Sequence, residues 1–213
     1  MNYFKERINK RFFINGFKMI AFVLIVAIIL FAISPVFMPK TNGDLRDKSA
    51  NGILAERANS IDVIFVGDSE CYSTFIPLQI WNDYGITSYV CGTPKQTLAY
   101  SMDFLNRAFE NQKPKLVVLE TNSIFRGFSL SSAVLLRADK WFSIYRYHDR
   151  WKKLSLSDLT SSEVSRDYIE NDKGFRLEDG IKPVSDKDYM KPSNKKAKIP
   201  SQNKSYLKNM IKL

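Results

Sequence analysis

Hydrophobic and polar positions divide the chain into three regimes. Residues 19–33, MIAFVLIVAIILFAI, are unbroken apolar, and only Ser34 and Pro35 intervene before Val36, Phe37 and Met38. From 61 to 120, short apolar runs alternate with stretches of helical period. From 121 to 200 neither period is sustained, and residues 201–213 begin to look helical. Residues 61–66, 87–91 and 116–120 are apolar runs too short for helices and read as strands. Residues 77–84 read as a helix stopped by Gly85. Residues 96–111 carry Leu98, Met102, Leu105 and Phe109 at helical spacing before Pro114. Strands alternating with helices predict a parallel sheet covered on both faces. The carboxyl ends of its strands then share one edge, where open α/β sheets bind ligands.

The first regime is long enough to span a bilayer core, which takes about 20 apolar residues. Lys5, Arg7, Lys10, Arg11 and Lys18 precede it, and cationic flanks stay in the cytoplasm, so everything after Lys40 is expected outside. A cleaved signal peptide is the competing reading, with Ala32-Ile33-Ser34 as its cleavage site. Pro35 would then follow the cut, which peptidases handle poorly, so an uncleaved anchor at 19–38 is expected. The resulting layout is a basic cytoplasmic tail at 1–18, the anchor, a polar linker at 39–59 with a short helix near 52–58, and an extracytoplasmic domain at 60–213. An irregular insertion occupies about 123–200 of that domain. It holds an aromatic cluster, Trp141, Phe142, Tyr145, Tyr147 and Trp151, around the single histidine, and a lysine-rich excursion at 171–200.

Charge sharpens this layout. The net charge of +10 is concentrated at the ends, with +4 in residues 1–18 and +7 in 181–213, leaving −1 between them. A near-neutral domain with basic ends does not fit a nucleic-acid-binding domain. The basic ends suit a lipid bilayer, and the C-terminal lysines also suit an anionic wall polymer.

Candidate chemistry lies at the strand ends. The first strand runs into Gly67-Asp68-Ser69-Glu70, the second into Cys91-Gly92, and the third into Glu120-Thr121-Asn122. A serine nucleophile needs a base and donors aimed at the developing oxyanion, and a glycine N–H and an Asn amide are suitable donors. Asp68 is expected to hydrogen-bond the turn backbone, and Glu70 to be a solvated or helix-start carboxylate. Cys71 and Cys91 follow neighbouring strands and could pair as a disulfide in an oxidising exterior. Two cysteines and one histidine make no zinc site, and no metal or cofactor is expected.

These blocks resemble the SGNH (GDSL-type) hydrolase superfamily over roughly residues 60–126. GDSE at 67–70 matches its first block apart from the last residue, and Gly92 matches the glycine of its second. In LVVLETNS, Asn122 matches the asparagine of its Gly-x-Asn-Asp block, while Glu120 and Ser123 replace the glycine and aspartate. The resemblance implies Ser69 as nucleophile, with Gly92 and Asn122 in the oxyanion hole. DVIFVGDSE, WNDYGITSY and YRYHDRW look like membrane-tethered Gram-positive members, similar to alginate-acetylation and teichoic-acid D-alanyl-transfer proteins. That implies acyl-ester hydrolysis or transfer on envelope polysaccharide, with a membrane acyl-donor protein as partner. The family's histidine lies in a C-terminal Asp-x-x-His block. Here the single histidine is His148, with Tyr145 three positions earlier and an insertion setting, which makes it a weak candidate base. The expected fold class is therefore α/β: a flavodoxin-like parallel three-layer sheet, cut short after three strands and preceded by one transmembrane helix. A form lacking its base is expected to be inactive or nearly so, and a non-catalytic envelope-binding or scaffold protein is the alternative.

Overall fold

The computed structural model describes residues 2–160, 164–177, 180, 194 and 196–213. In chain order its regular elements are α1 (Asn2–Phe37), α2 (Lys48–Asn51), β1 (Val63–Gly67), α3 (Ser69–Thr74), α4 (Pro77–Tyr84), β2 (Ser88–Gly92), α5 (Leu98–Ala108), β3 (Leu116–Leu119), α6 (Asn122–Phe125), α7 (Leu130–Trp141), α8 (Ile144–Tyr147) and α9 (Ser201–Met210). They form two units. One comprises residues 1–40 and 134–163, the other 41–133 and 164–213. Part of the stretch assigned to the insertion thus forms one unit with the N-terminal helix. Most of the lysine-rich excursion, including 178–179 and 181–193, lies outside the described residues.

The larger unit is α/β. Its three strands are all parallel in the order β2-β1-β3, with Val63 opposite both Ser88 and Leu116. Period-two alternation sends successive side chains to opposite faces. Ile64, Val66, Tyr89 and Cys91 meet Ala50, Ile53, Phe104, Leu105 and Ala108 on one face. Phe65 and Val90 meet Cys71 and Tyr72, with Phe75 and Ile80 packed alongside, on the other. Helices therefore cover both faces, as the continuous apolar runs of β1 and β2 require.

The segment read as a linker is built into this unit. Asn42, Ser49, Ala50, Asn51 and Ile53 are buried. Its polar composition hides the burial because hydrogen bonds satisfy the polar groups. Asn42 donates to the Tyr168 carbonyl at 2.8 Å and accepts from the Tyr168 N–H at 2.8 Å. The Tyr89 hydroxyl donates to the Ser49 carbonyl at 2.7 Å. Residues 171–176, the start of the expected excursion, cover the outer edge of β2, where the Val90 N–H donates to the Lys173 carbonyl at 2.9 Å. Gly174 has a φ of +86°, and a Cβ there would lie 2.0 Å from the Val90 carbonyl oxygen. Only glycine allows that approach.

The smaller unit is organised by the end of α1. Residues Ile14–Phe37 are long and apolar enough to cross a membrane, with a mean hydropathy of 3.0 over the most apolar window. Pro35 lacks an N–H, and the last turn tightens, so the Met38 N–H reaches the Pro35 carbonyl at 3.2 Å. The Ser34 carbonyl instead accepts from the Ser143 hydroxyl at 2.6 Å, and the Ile144 N–H donates to the Ser34 hydroxyl at 3.3 Å. Arg150 donates to the Met38 carbonyl at 2.6 Å and pairs with Asp158 at 2.9 Å. A cation at these orphan carbonyls is the favoured cap of a helix C-terminus.

Candidate functional site

The strand order creates the site. The connection from β1 leads to β2 on one side, and the chain then passes β1 to reach β3 on the other. The crevice between the carboxyl ends of β1 and β3 is thus a topological switch point. Asp68 leaves β1 buried and caps α3, its Oδ1 accepting from the Glu70 N–H at 3.1 Å. Ser69 follows as the first residue of α3. It is half-buried, and its hydroxyl makes no hydrogen bond among the described residues.

Gly67 is what lets β3 come so close. A Cβ there would lie 2.2 Å from the Glu120 Cβ and 3.0 Å from the Cys71 Cβ. Glu120 directly follows β3, and its carboxylate accepts from the backbone N–H groups of Asn122 and Ser123. The Asn122 amide reaches back to Glu70 Oε2 at 2.6 Å. Gly92 is buried beside the Tyr72 Cβ and the Asp68 carbonyl. The structure thus brings the turn around Ser69, Gly92 and Asn122 to one sheet edge.

Arg126 ties this edge together, and nothing in the sequence marked it. Its guanidinium pairs with Asp68 Oδ2 at 2.6 Å and donates to the Gln96 carbonyl at 3.2 Å. It therefore joins the loops that follow β1, β2 and β3. Gln96 is buried and donates to the Cys91 carbonyl at 3.2 Å and to Ser101 Oγ at 2.9 Å. Buried Asn203, on α9, holds the loop of Arg126 from beneath, donating to the carbonyls of Ile124 at 2.8 Å and Arg126 at 2.9 Å. The contacts of Arg126 and Asn203 span 30 to 79 residues of chain, so a sequence window carries no sign of them.

One carboxylate oxygen from each of Asp68, Glu70 and Glu120 lies within 4.8 Å of the others. These are the residues that could hold a cation. Each already faces a donor: Arg126, the Asn122 amide, and two backbone N–H groups respectively.

Two sequence candidates fall outside this arrangement. Cys71 and Cys91 are free thiols, so the disulfide considered from the sequence is absent. They pack in clusters on opposite faces of the sheet, so the strand itself separates them. Burial, reinforced by Glu120 and Asp68, pushes the Cys71 thiol up to about 12, and burial pushes Cys91 to about 12 as well. Neither is poised as a nucleophile. His148 belongs to the other unit and is exposed, its Nδ1 beside the Tyr145 carbonyl at 3.3 Å.

No family model matches the chain, and neither a curated protein nor a solved structure does so.

Proposed function

We propose that the chain is an SGNH-like, membrane-anchored protein whose strand-end site handles acyl esters of cell-envelope polysaccharide, by hydrolysis or transfer. In this reading Ser69 takes the acyl group, and the Gly92 N–H and the Asn122 amide face the tetrahedral oxyanion. The sheet is flavodoxin-like, the N-terminus is cytoplasmic, and a membrane protein donates the acyl group if the reaction is transfer. The observation that carries the reading is the convergence of a half-buried Ser69 hydroxyl, unbonded among the described residues, with Gly92 and Asn122 at a switch-point edge.

A second reading is favoured by the same contacts. The Asn122 amide is spent on Glu70, Arg126 neutralises Asp68, and no base hydrogen-bonds the Ser69 hydroxyl among the described residues. A serine without a base is a weak nucleophile, so the edge would serve to bind envelope glycan without turnover.

A fluorophosphonate probe on the full chain in detergent separates the two. The first reading expects label on Ser69 and its loss in Ser69→Ala. A folded chain that takes no label, and binds envelope glycan equally with and without Ser69, would leave the binding reading.

A further inference from the structure

In the smaller unit, five large apolar side chains stand exposed close to the end of α1: Trp141, Tyr145, Trp151, Leu156 and Leu159, each more than half accessible. Their depth follows from the helix. The 24 residues Ile14–Phe37 extend about 36 Å at ~1.5 Å per residue, against a hydrocarbon core of ~30 Å. Phe31 lies about 9 Å before the end of that span. With the span centred on the core, Phe31 sits roughly 6 Å inside the hydrocarbon.

The Trp141 and Phe142 rings lie 6.2 and 6.3 Å from the Phe31 ring. The Ser143–Ser34 and Ile144–Ser34 hydrogen bonds fix the chain at that level, and Arg150 fixes it again at Met38. The segment from Trp141 to Arg150 therefore climbs α1 from the acyl boundary to the helix end. Exposed Trp and Tyr favour that boundary, where the ring is in hydrocarbon and its N–H or O–H in the headgroups. Lys152, whose ammonium lies 5.7 Å from the Trp151 ring centroid, and Lys153 are exposed next in the chain, placed for anionic headgroups.

We propose that residues 141–159 form a second membrane-contacting element, seated in the headgroup–acyl boundary of the leaflet at the C-terminal end of α1. The inference rests on reading α1 as a membrane span. The lipid-facing surface of α1, nearly all of it unburied, continues directly into this aromatic face, which is why the occupant is lipid rather than a second protein chain.

The test uses the full chain reconstituted in phosphatidylcholine–phosphatidylglycerol vesicles. The protein has three tryptophans, so Trp81→Phe with Trp151→Phe leaves Trp141 alone. Its fluorescence is expected to be quenched by lipids brominated high on the acyl chain and shielded from acrylamide. A Tyr145→Cys variant carrying an environment-sensitive dye reads the same boundary if the tryptophan variant misfolds, since both native thiols are buried. Unquenched, acrylamide-accessible Trp141 in a chain that resists carbonate extraction overturns the proposal and leaves the anchor standing. A chain that carbonate extracts overturns both.

Discussion

Gly67 carries more of the site than its size suggests. Alanine there places a methyl 2.2 Å from the Glu120 Cβ, a position that no side-chain rotation relieves, so β3 must move. Gly67→Ala is expected to cost about 1–3 kcal/mol as overpacking, read in a chemical melt. Ser69→Ala, losing a hydroxyl with no partner among the described residues, is expected to stay within about 0.5 kcal/mol of the parent. The Asp68–Arg126 pair acts differently. Asp68 is nearly inaccessible while Arg126 is one-third exposed, so truncating Arg126 strands a buried carboxylate. Arg126→Ala is expected to cost about 3 kcal/mol, with Asp68→Asn in the same chain recovering part of it in a double-mutant cycle. Asp158 gives a pH signature. The Ser155 N–H, then Arg150, hold its carboxyl down to about 2, below its ordinary value. A lowered folded value stabilises above the unfolded one and is lost as pH falls through the folded one. The stability gap between the parent and Asp158→Asn should therefore be full above about pH 4 and close toward pH 2, followed by Trp151 emission.

Among the elements, β3 and α9 differ most from what their apolar content suggests. All of β2 is buried, whereas Leu116 of β3 is exposed and Val117 to Leu119 are half-buried. The Leu116 and Glu120 N–H groups donate to the carbonyls of Asp62, just before β1, and Val66 on β1. By the period of two, the Val117 and Leu119 N–H groups point to the outer edge. Their amides are expected to exchange with solvent much faster than those of β2, as hydrogen-exchange mass spectrometry or NMR would show; equal protection along both strands would mean that the outer edge is covered. Helix α9 has a largely polar sequence, yet its Asn203 gathers the carbonyls of the loop that carries Arg126. Asn203→Ala leaves those buried acceptors short of a donor and is expected to cost about 1–3 kcal/mol, with increased exchange at residues 122–126.

Across the molecule, two signals were legible along the chain because each is local. A long apolar run reports a helix able to cross a membrane, and short runs punctuated by Gly85 and Pro114 report strands alternating with helices. Transfer of apolar surface out of water needs no particular partner, so period and length alone reveal it; the helix at Pro77–Tyr84 appears where its pattern put it. The strand ends at Gly67, Gly92 and Leu119 were legible for the same reason, as the points where short apolar runs stop. Other features depended on hydrogen bonds and close approaches between distant segments. Asn42 is buried because Tyr168 answers it 126 residues away, which turned an expected linker into part of the larger unit. Cys71 and Cys91 stay apart because α3 and β2 present them to opposite faces. Arg126 and Asn203 matter only once three loops and a C-terminal helix meet. Hydrophobic patterning is additive along a chain and can be read from it. Directional polar contacts exist only when both partners are in place, and that is settled by the folded chain.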